Sequence, residues 1–276
     1  MGEFDQRPGI GRRLVLIGLA AFAVAVPASA SAVRERDVVI KTADGSAEAA
    51  LFLPVGKGKR PAILLWTDVG GLRPLFRDIG RKFAAEGFVV LVPNAFYRSV
   101  RPGTGAMDLR DPALKAILIK NRDEATDDGI ARDALAYLAL LDAQPQTDTT
   151  RKAGAIGYDL GASFAFRTAA AIPNRIGAVG DIYGVRVATE RPNSAHLLVP
   201  KTRATYYAAM ARDDDLREPG DKDDIANIIK ASNLRGTVDV YSADHGWANP
   251  AEKTYDAAAS DRAFSALVKL CRDALK

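Results

Sequence analysis

Short apolar runs closed by Gly, Pro or Asp alternate along the chain with longer stretches whose apolar positions recur every three or four residues. Residues 38–40 and 50–52 flank Asp44-Gly45, the pattern of a β-hairpin. Ala62–Trp66 and residues 88–92 are unbroken apolar runs, as strands buried on both faces require. Between them, Leu75, Ile79 and Phe83 are spaced as one face of a helix over residues 74–86, which stops at Gly87. The alternation continues through a helix at 128–142, a strand at 153–157, a helix at 163–171, strands at 176–180 and 204–210, a helix ending near 231, a strand at 238–241 and a C-terminal helix to 275. This βαβα order predicts an α/β chain with a mostly parallel, doubly wound sheet covered by helices on both sides. Residues 101–126, rich in charge and turn formers, are expected to be a mobile or lid-like connection.

The N-terminus follows a different pattern. Arg12-Arg13 precede an uncharged run over residues 14–26, then Pro27 and the small residues Ala28-Ser29-Ala30-Ser31-Ala32. A basic start, a run too short for the roughly 20 residues of a membrane span, and an Ala-x-Ala site predict a cleaved signal peptide over 1–32. The paired arginines fit a twin-arginine signal as well as a general secretory one. The expectation is an exported protein, periplasmic or secreted, with no stable membrane insertion after cleavage and a single domain over 33–276, since no repeat or linker divides it.

Composition narrows the chemistry. With two histidines, His196 and His245, and one cysteine, Cys271, a zinc centre of clustered Cys and His is excluded, as is an intrachain disulfide. No metal or other cofactor is expected. The charge of +4 comes from 38 cations nearly matched by 34 anions, without long like-charged runs, which argues against a nucleic-acid surface and for a small-molecule partner. The oligomeric state is not legible.

In an open parallel sheet, ligands bind at the carboxyl ends of the strands. The turn after Ile156 reads Gly157-Tyr158-Asp159-Leu160-Gly161, small residues around a central polar one between a strand and a helix, which lifts the Asp159 side chain clear of the sheet. His245 follows the last strand, in the chain order of a nucleophile–acid–base triad.

With Trp66-Thr67-Asp68-Val69-Gly70-Gly71-Leu72, residues 92–98, Asp213-Asp214-Asp215 with Pro219, and Asp244-His245-Gly246-Trp247, the chain resembles the dienelactone hydrolase family of capless α/β-hydrolases. The resemblance implies a triad of Asp159, His245 and either Asp215 or Asp214, with the spacing to Pro219 favouring Asp215. It also implies an oxyanion hole of the Val69 and Leu160 N–H groups, Asp68 where the family has a glutamate that holds the nucleophile, and Arg98 as the clamp for a substrate carboxylate. Tyr97, beside Arg98, is a further substrate-binding candidate, and Trp66 and Trp247 are candidates to line the pocket or to bind halide through their indole N–H.

The family's elbow nucleophile is a cysteine, and Asp159 departs from it. Gly-x-Asp-x-Gly resembles the elbow of epoxide hydrolases and haloalkane dehalogenases, but only about 30 residues separate Gly184 from Asp215, too few for their cap. A carboxylate attacking an ester must expel a far more basic alkoxide, whereas at a saturated carbon bearing a halide or strained oxygen it forms an alkyl ester that His245 can hydrolyse. If Asp68 and Asp159 share a proton, one held on Asp68 would donate to an epoxide oxygen and one held on Asp159 would block its attack, and the sequence leaves both open. Two alternatives stay open: Asp159 as a base for water in ester or lactone hydrolysis, and a catalytically silent periplasmic binding protein that keeps the pocket and Arg98.

Overall fold

The computed structural model describes residues 1–2, 32–99 and 111–276. The export segment lies outside these residues, apart from its ends. Eight strands form one sheet: β1 (Val33–Thr42), β2 (Gly45–Pro54), β3 (Ala62–Trp66), β4 (Val89–Pro93), β5 (Ala153–Tyr158), β6 (Ile176–Ile182), β7 (Thr205–Met210) and β8 (Gly236–Val240). Their spatial order is β1-β2-β4-β3-β5-β6-β7-β8. The β1/β2 and β2/β4 pairs are antiparallel and every other pair is parallel. This is the predicted α/β-hydrolase architecture.

The unbroken apolar strands sit where their patterning requires. In β3, Leu64 and Trp66 face one apolar cluster while Ile63 and Leu65 face the other, the alternation of a strand with both sides covered. The first cluster is filled by α3 (Asp127–Asp142) and α4 (Leu160–Ala171), with Ile130, Tyr137, Leu141 and Phe164. The second is filled by α1 (Pro74–Ala85) and α7 (Ala257–Ala274), with Phe76, Phe83, Leu267 and Cys271.

Three segments differ from expectation. Pro112–Glu124, in the stretch read as a lid, is helix α2; the Asp111 side chain caps it by accepting the Ala113 N–H, and Pro112 starts it. Only Leu118 and Asn121 of α2 are buried, so it lacks the apolar stripe by which a helix is recognised. The rest of that stretch, residues 100–110, lies outside the described residues. The Asp-rich turn is a short helix, α5 (Arg212–Arg217), followed by α6 (Asp221–Ala231), and α4 begins three residues earlier than its apolar pattern, directly at the elbow.

Candidate functional site

A single residue, Asp159, separates β5 from α4. Its φ of 51° and ψ of −122° are uncommon for any residue with a Cβ, and Asp is among the few types that tolerate a positive φ. The flanking glycines are required by space: a Cβ at Gly157 would lie 2.0 Å from the Gly161 carbonyl oxygen, and one at Gly161 would lie 2.3 Å from that of Thr67. The Asp159 N–H donates to the Ile182 carbonyl at 3.0 Å, and the Val185 N–H reaches the Asp159 carbonyl at 3.3 Å, tying the turn to the end of β6.

The two carboxylate oxygens of Asp159 have different surroundings. Oδ2 accepts the Val69 N–H at 3.2 Å, and the Leu160 N–H also donates to this carboxylate. Oδ1 faces His245 Nε2 at 3.5 Å. Burial raises the Asp159 pKa above the usual carboxylate value and Asp68 adds to the rise, against the opposing pull of His245 and the two N–H donors. His245 Nδ1 lies 2.6 Å from Asp214 Oδ2. Burial works against the imidazolium, yet the Asp214 hydrogen bond and the charges of Asp159 and Asp213 outweigh it, so the His245 pKa is raised. The histidine's loop is moored by Asp213, whose Oδ1 accepts the His245 N–H at 2.7 Å, and by Thr254, whose hydroxyl donates to the His245 carbonyl at 2.8 Å. One line of groups results: Asp214, His245, Asp159 and the backbone donors beyond it.

Asp68 is buried behind this line and grips Arg73. Arg73 Nη1 donates to Oδ1 and Nη2 to Oδ2, the latter at 2.6 Å, and the Gly70 N–H completes the set at 2.9 Å. Both oxygens of Asp68 are engaged by one guanidinium, so the side chain expected to serve an epoxide oxygen is turned to Arg73 instead. Arg73 carries no recognisable motif, and the sequence reading missed it. It missed Tyr183 as well, whose ring lies 5.0 Å from that of His245 and 4.8 Å from that of Trp247. At the end of β6, Asp181 is buried and accepts the Gly184 N–H at 2.8 Å; burial, with Asp214 and Asp221 nearby, pushes its pKa up to about 7.

Several predicted residues stand elsewhere. Asp215, favoured over Asp214, faces away from His245 and binds Lys222 Nζ at 2.7 Å, because neighbours in a helical first turn point about 100° apart. Arg98 is not free for a substrate: it binds Asp133 Oδ2 at 2.8 Å and Asp44 Oδ2 at 2.6 Å. Tyr97 joins the same bolt, its hydroxyl donating to Asp133 Oδ1 at 2.9 Å and meeting Thr42 Oγ1 at 2.7 Å. Trp66 is core, fully buried, with its indole N–H on Thr168 Oγ1 at 2.9 Å. Trp247 is also fully buried, stacked 5.0 Å from Tyr241, so it supports the site from behind and does not line it. Cys271 is buried and its thiol pKa is pushed up to about 12 by burial, which makes it inert.

Comparison with known proteins agrees with this frame. The profile described as "Dienelactone hydrolase family" matches residues 47–275. A Synechocystis sp. protein provisionally named a carboxymethylenebutenolidase is 24% identical over 227 residues, 81% of this chain and 90% of its own. The carboxymethylenebutenolidase of Rhodococcus opacus is 32% identical over 121 residues, 44% of this chain and 43% of its own. Among solved structures, the dienelactone hydrolase-like promiscuous phosphotriesterase P91 from metagenomic libraries superposes with a TM-score of 0.72 at 19% identity, over 89% of this chain and 100% of that one, a likeness of fold.

Proposed function

Because this chain belongs to the dienelactone hydrolase family and is a hydrolase, we propose that it hydrolyses a small molecule at a saturated carbon, with Asp159 as nucleophile, His245 as base and Asp214 as the residue that orients the imidazole. The division of labour between the two Asp159 oxygens carries this reading. Oδ1, on the His245 side, attacks the carbon; a C–O bond forms and the carbon–halogen or carbon–oxygen bond breaks, its electron pair leaving with the departing group. The product of this step is an alkyl ester of Asp159.

Esterification removes the negative charge that helps to raise the His245 pKa, so the imidazole becomes a better-poised neutral base at the moment it is needed. His245 Nε2 then takes a proton from water, and the hydroxide attacks Asp159 Cγ. The negative charge of the tetrahedral intermediate develops on Oδ2, which already accepts the Val69 N–H, while the Leu160 N–H is directed at the same carboxylate. Collapse expels the substrate alkoxide, which takes its proton from His245, and the carboxylic acid left on Asp159 releases its proton to solvent to restore the carboxylate.

Two observations sharpen the substrate class. Asp68 has both oxygens engaged by Arg73 and neither is directed at an epoxide oxygen, which favours a halide, a leaving group that needs no donor. The ester and lactone alternative requires the Val69 and Leu160 N–H groups to hold the substrate's carbonyl oxygen, but the Asp159 carboxylate already engages both. A single turnover in H₂¹⁸O with a panel of haloacids and epoxides tests the reading. Solvent oxygen should enter the Asp159 carboxylate; turnover without label in the peptide that carries Asp159 refutes nucleophilic attack, and absence of turnover across the panel favours the silent binding protein.

A further inference from the structure

Beside the elbow, a cleft of about 710 Å³ opens between the start of α3, the exposed side of α4 and the loop that follows β6. Leu160, the residue after Asp159, and Ser163 are among its lining residues. Five arginines face three aspartates across it. Three of the five are committed: Arg132 to Asp44, Arg122 to Asp123, and Arg167 to Asp127 at 3.0 Å and the Asn193 carbonyl at 2.8 Å. The side chains of Arg186 and Arg191 have no hydrogen-bond or ion-pair partner among the described residues.

Those two cations do not simply diverge into solvent. Burial first, and then the charges of Arg191 and Arg122, hold the Arg186 pKa below the ordinary arginine value, while Asp123 and Asp127 lie near enough to pull the other way. Arg186 also stands at φ 60°, a left-handed conformation that a long side chain adopts only when the surrounding structure imposes it. Two guanidinium groups without an ion-pair partner on the lining of a cavity that holds five arginines and three aspartates leave charge that an anionic ligand can meet, and guanidinium forks suit the planar oxygens of a carboxylate or the oxygens of a phosphate.

We propose that Arg186 and Arg191, with Arg122 beside them, form the recognition site for an oxyanion group on the substrate, and that this cleft serves the role expected of Arg98. The proposal rests on Asp159 being the reacting centre. Arg186 follows Val185, whose N–H reaches the Asp159 carbonyl at 3.3 Å, so the proposed anion site is tied to the elbow by the backbone.

The test is titration calorimetry with succinate and with inorganic phosphate on the wild-type chain, on Arg186→Gln/Arg191→Gln and on Asp159→Asn. Saturable binding of at least one probe to the wild type, weakened tenfold or more in the double variant and retained in Asp159→Asn, is the expected result. The preferred probe distinguishes carboxylate from phosphate. Binding of neither probe, or equal binding by the double variant, overturns the proposal. Because Asp159→Asn leaves the cleft intact, failure of the nucleophile reading would show as absent ¹⁸O labelling with anion binding preserved. Both arginines are exposed and without partners, so their replacement should leave the unfolding temperature unchanged, and that measurement confirms the folded state of the double variant.

Discussion

Asp159 Oδ2 accepts the Val69 N–H at 3.2 Å, which places a side-chain oxygen where an acyl-transfer hydrolase would receive the oxygen of its substrate. In the proposed mechanism these backbone donors act after Asp159 has been alkylated, when hydroxide adds to Cγ and charge moves onto Oδ2. They would then serve the second of its two steps.

That asymmetry gives the first prediction. In His245→Gln, alkylation proceeds and hydrolysis does not, so a substrate that the wild type consumes should leave a stable ester on Asp159. Peptide mass spectrometry after quenching reads the adduct, and its absence would refute the two-step scheme.

Replacing Asp159 by Cys should confer hydrolysis of nitrophenyl acetate. The shorter side chain withdraws the carboxylate that engages the Val69 and Leu160 N–H groups, which can then receive an ester carbonyl, and a thiolate can expel alkoxide through a thioester that water opens. Release of nitrophenolate no faster than by His245→Gln would mean that these donors do not act as an oxyanion hole.

Asp214 and Asp215 should separate cleanly. Asp214→Asn leaves His245 without the carboxylate that fixes its tautomer and should lower kcat by roughly 10³-fold or more, as in other triads. Asp215→Asn breaks only the partly exposed pair with Lys222, worth at most about 1 kcal/mol, and should leave kcat unaltered. Equal effects on kcat would return the choice to Asp215.

Arg98→Ala should destabilise the fold by about 3 kcal/mol, because it strips Asp133, whose side chain is fully buried, of its counter-charge. Affinity for succinate and phosphate should not change. A weakened affinity in a variant that unfolds at the wild-type temperature would restore Arg98 to substrate binding.

Asp181 supplies a pH test. The folded chain holds its proton up to about pH 7, whereas the unfolded chain releases it near 3.8. The contribution of this group is fully present below the lower value and is lost as pH rises through the higher one. Asp181→Asn, which keeps an acceptor for the Gly184 N–H, should gain about 2 kcal/mol more at pH 8 than at pH 5. Unfolding temperatures measured at the two values check this, and an equal gain at both would count against it.

What could be read in advance followed the reach of each interaction along the chain. The elbow was legible because two glycines that cannot accept a Cβ stand within five residues of one another. The strands of the central sheet were legible because burial on both faces leaves an unbroken apolar run. Arg98 was misassigned because its partners, Asp44 and Asp133, lie 54 and 35 residues away, and nothing local announces them. The choice of Asp214 depends on the rotational phase of a six-residue helix, which a run of three aspartates does not reveal. Arg73 and the cleft arginines went unseen for the same reason: a cation's role is set by which carboxylates reach it in space.

The backbone at position 159 is held by main-chain contacts, through the Ile182 carbonyl, the Val185 and Ala162 N–H groups and the two flanking glycines. None of these involves the side chain. The scaffold thus separates the address of the reacting atom from the element that stands there: carboxylate, thiolate or hydroxyl can be exchanged without refolding the turn. A lineage built on this frame can change the kind of bond it breaks by replacing one residue, while the histidine relay behind it stays as it is.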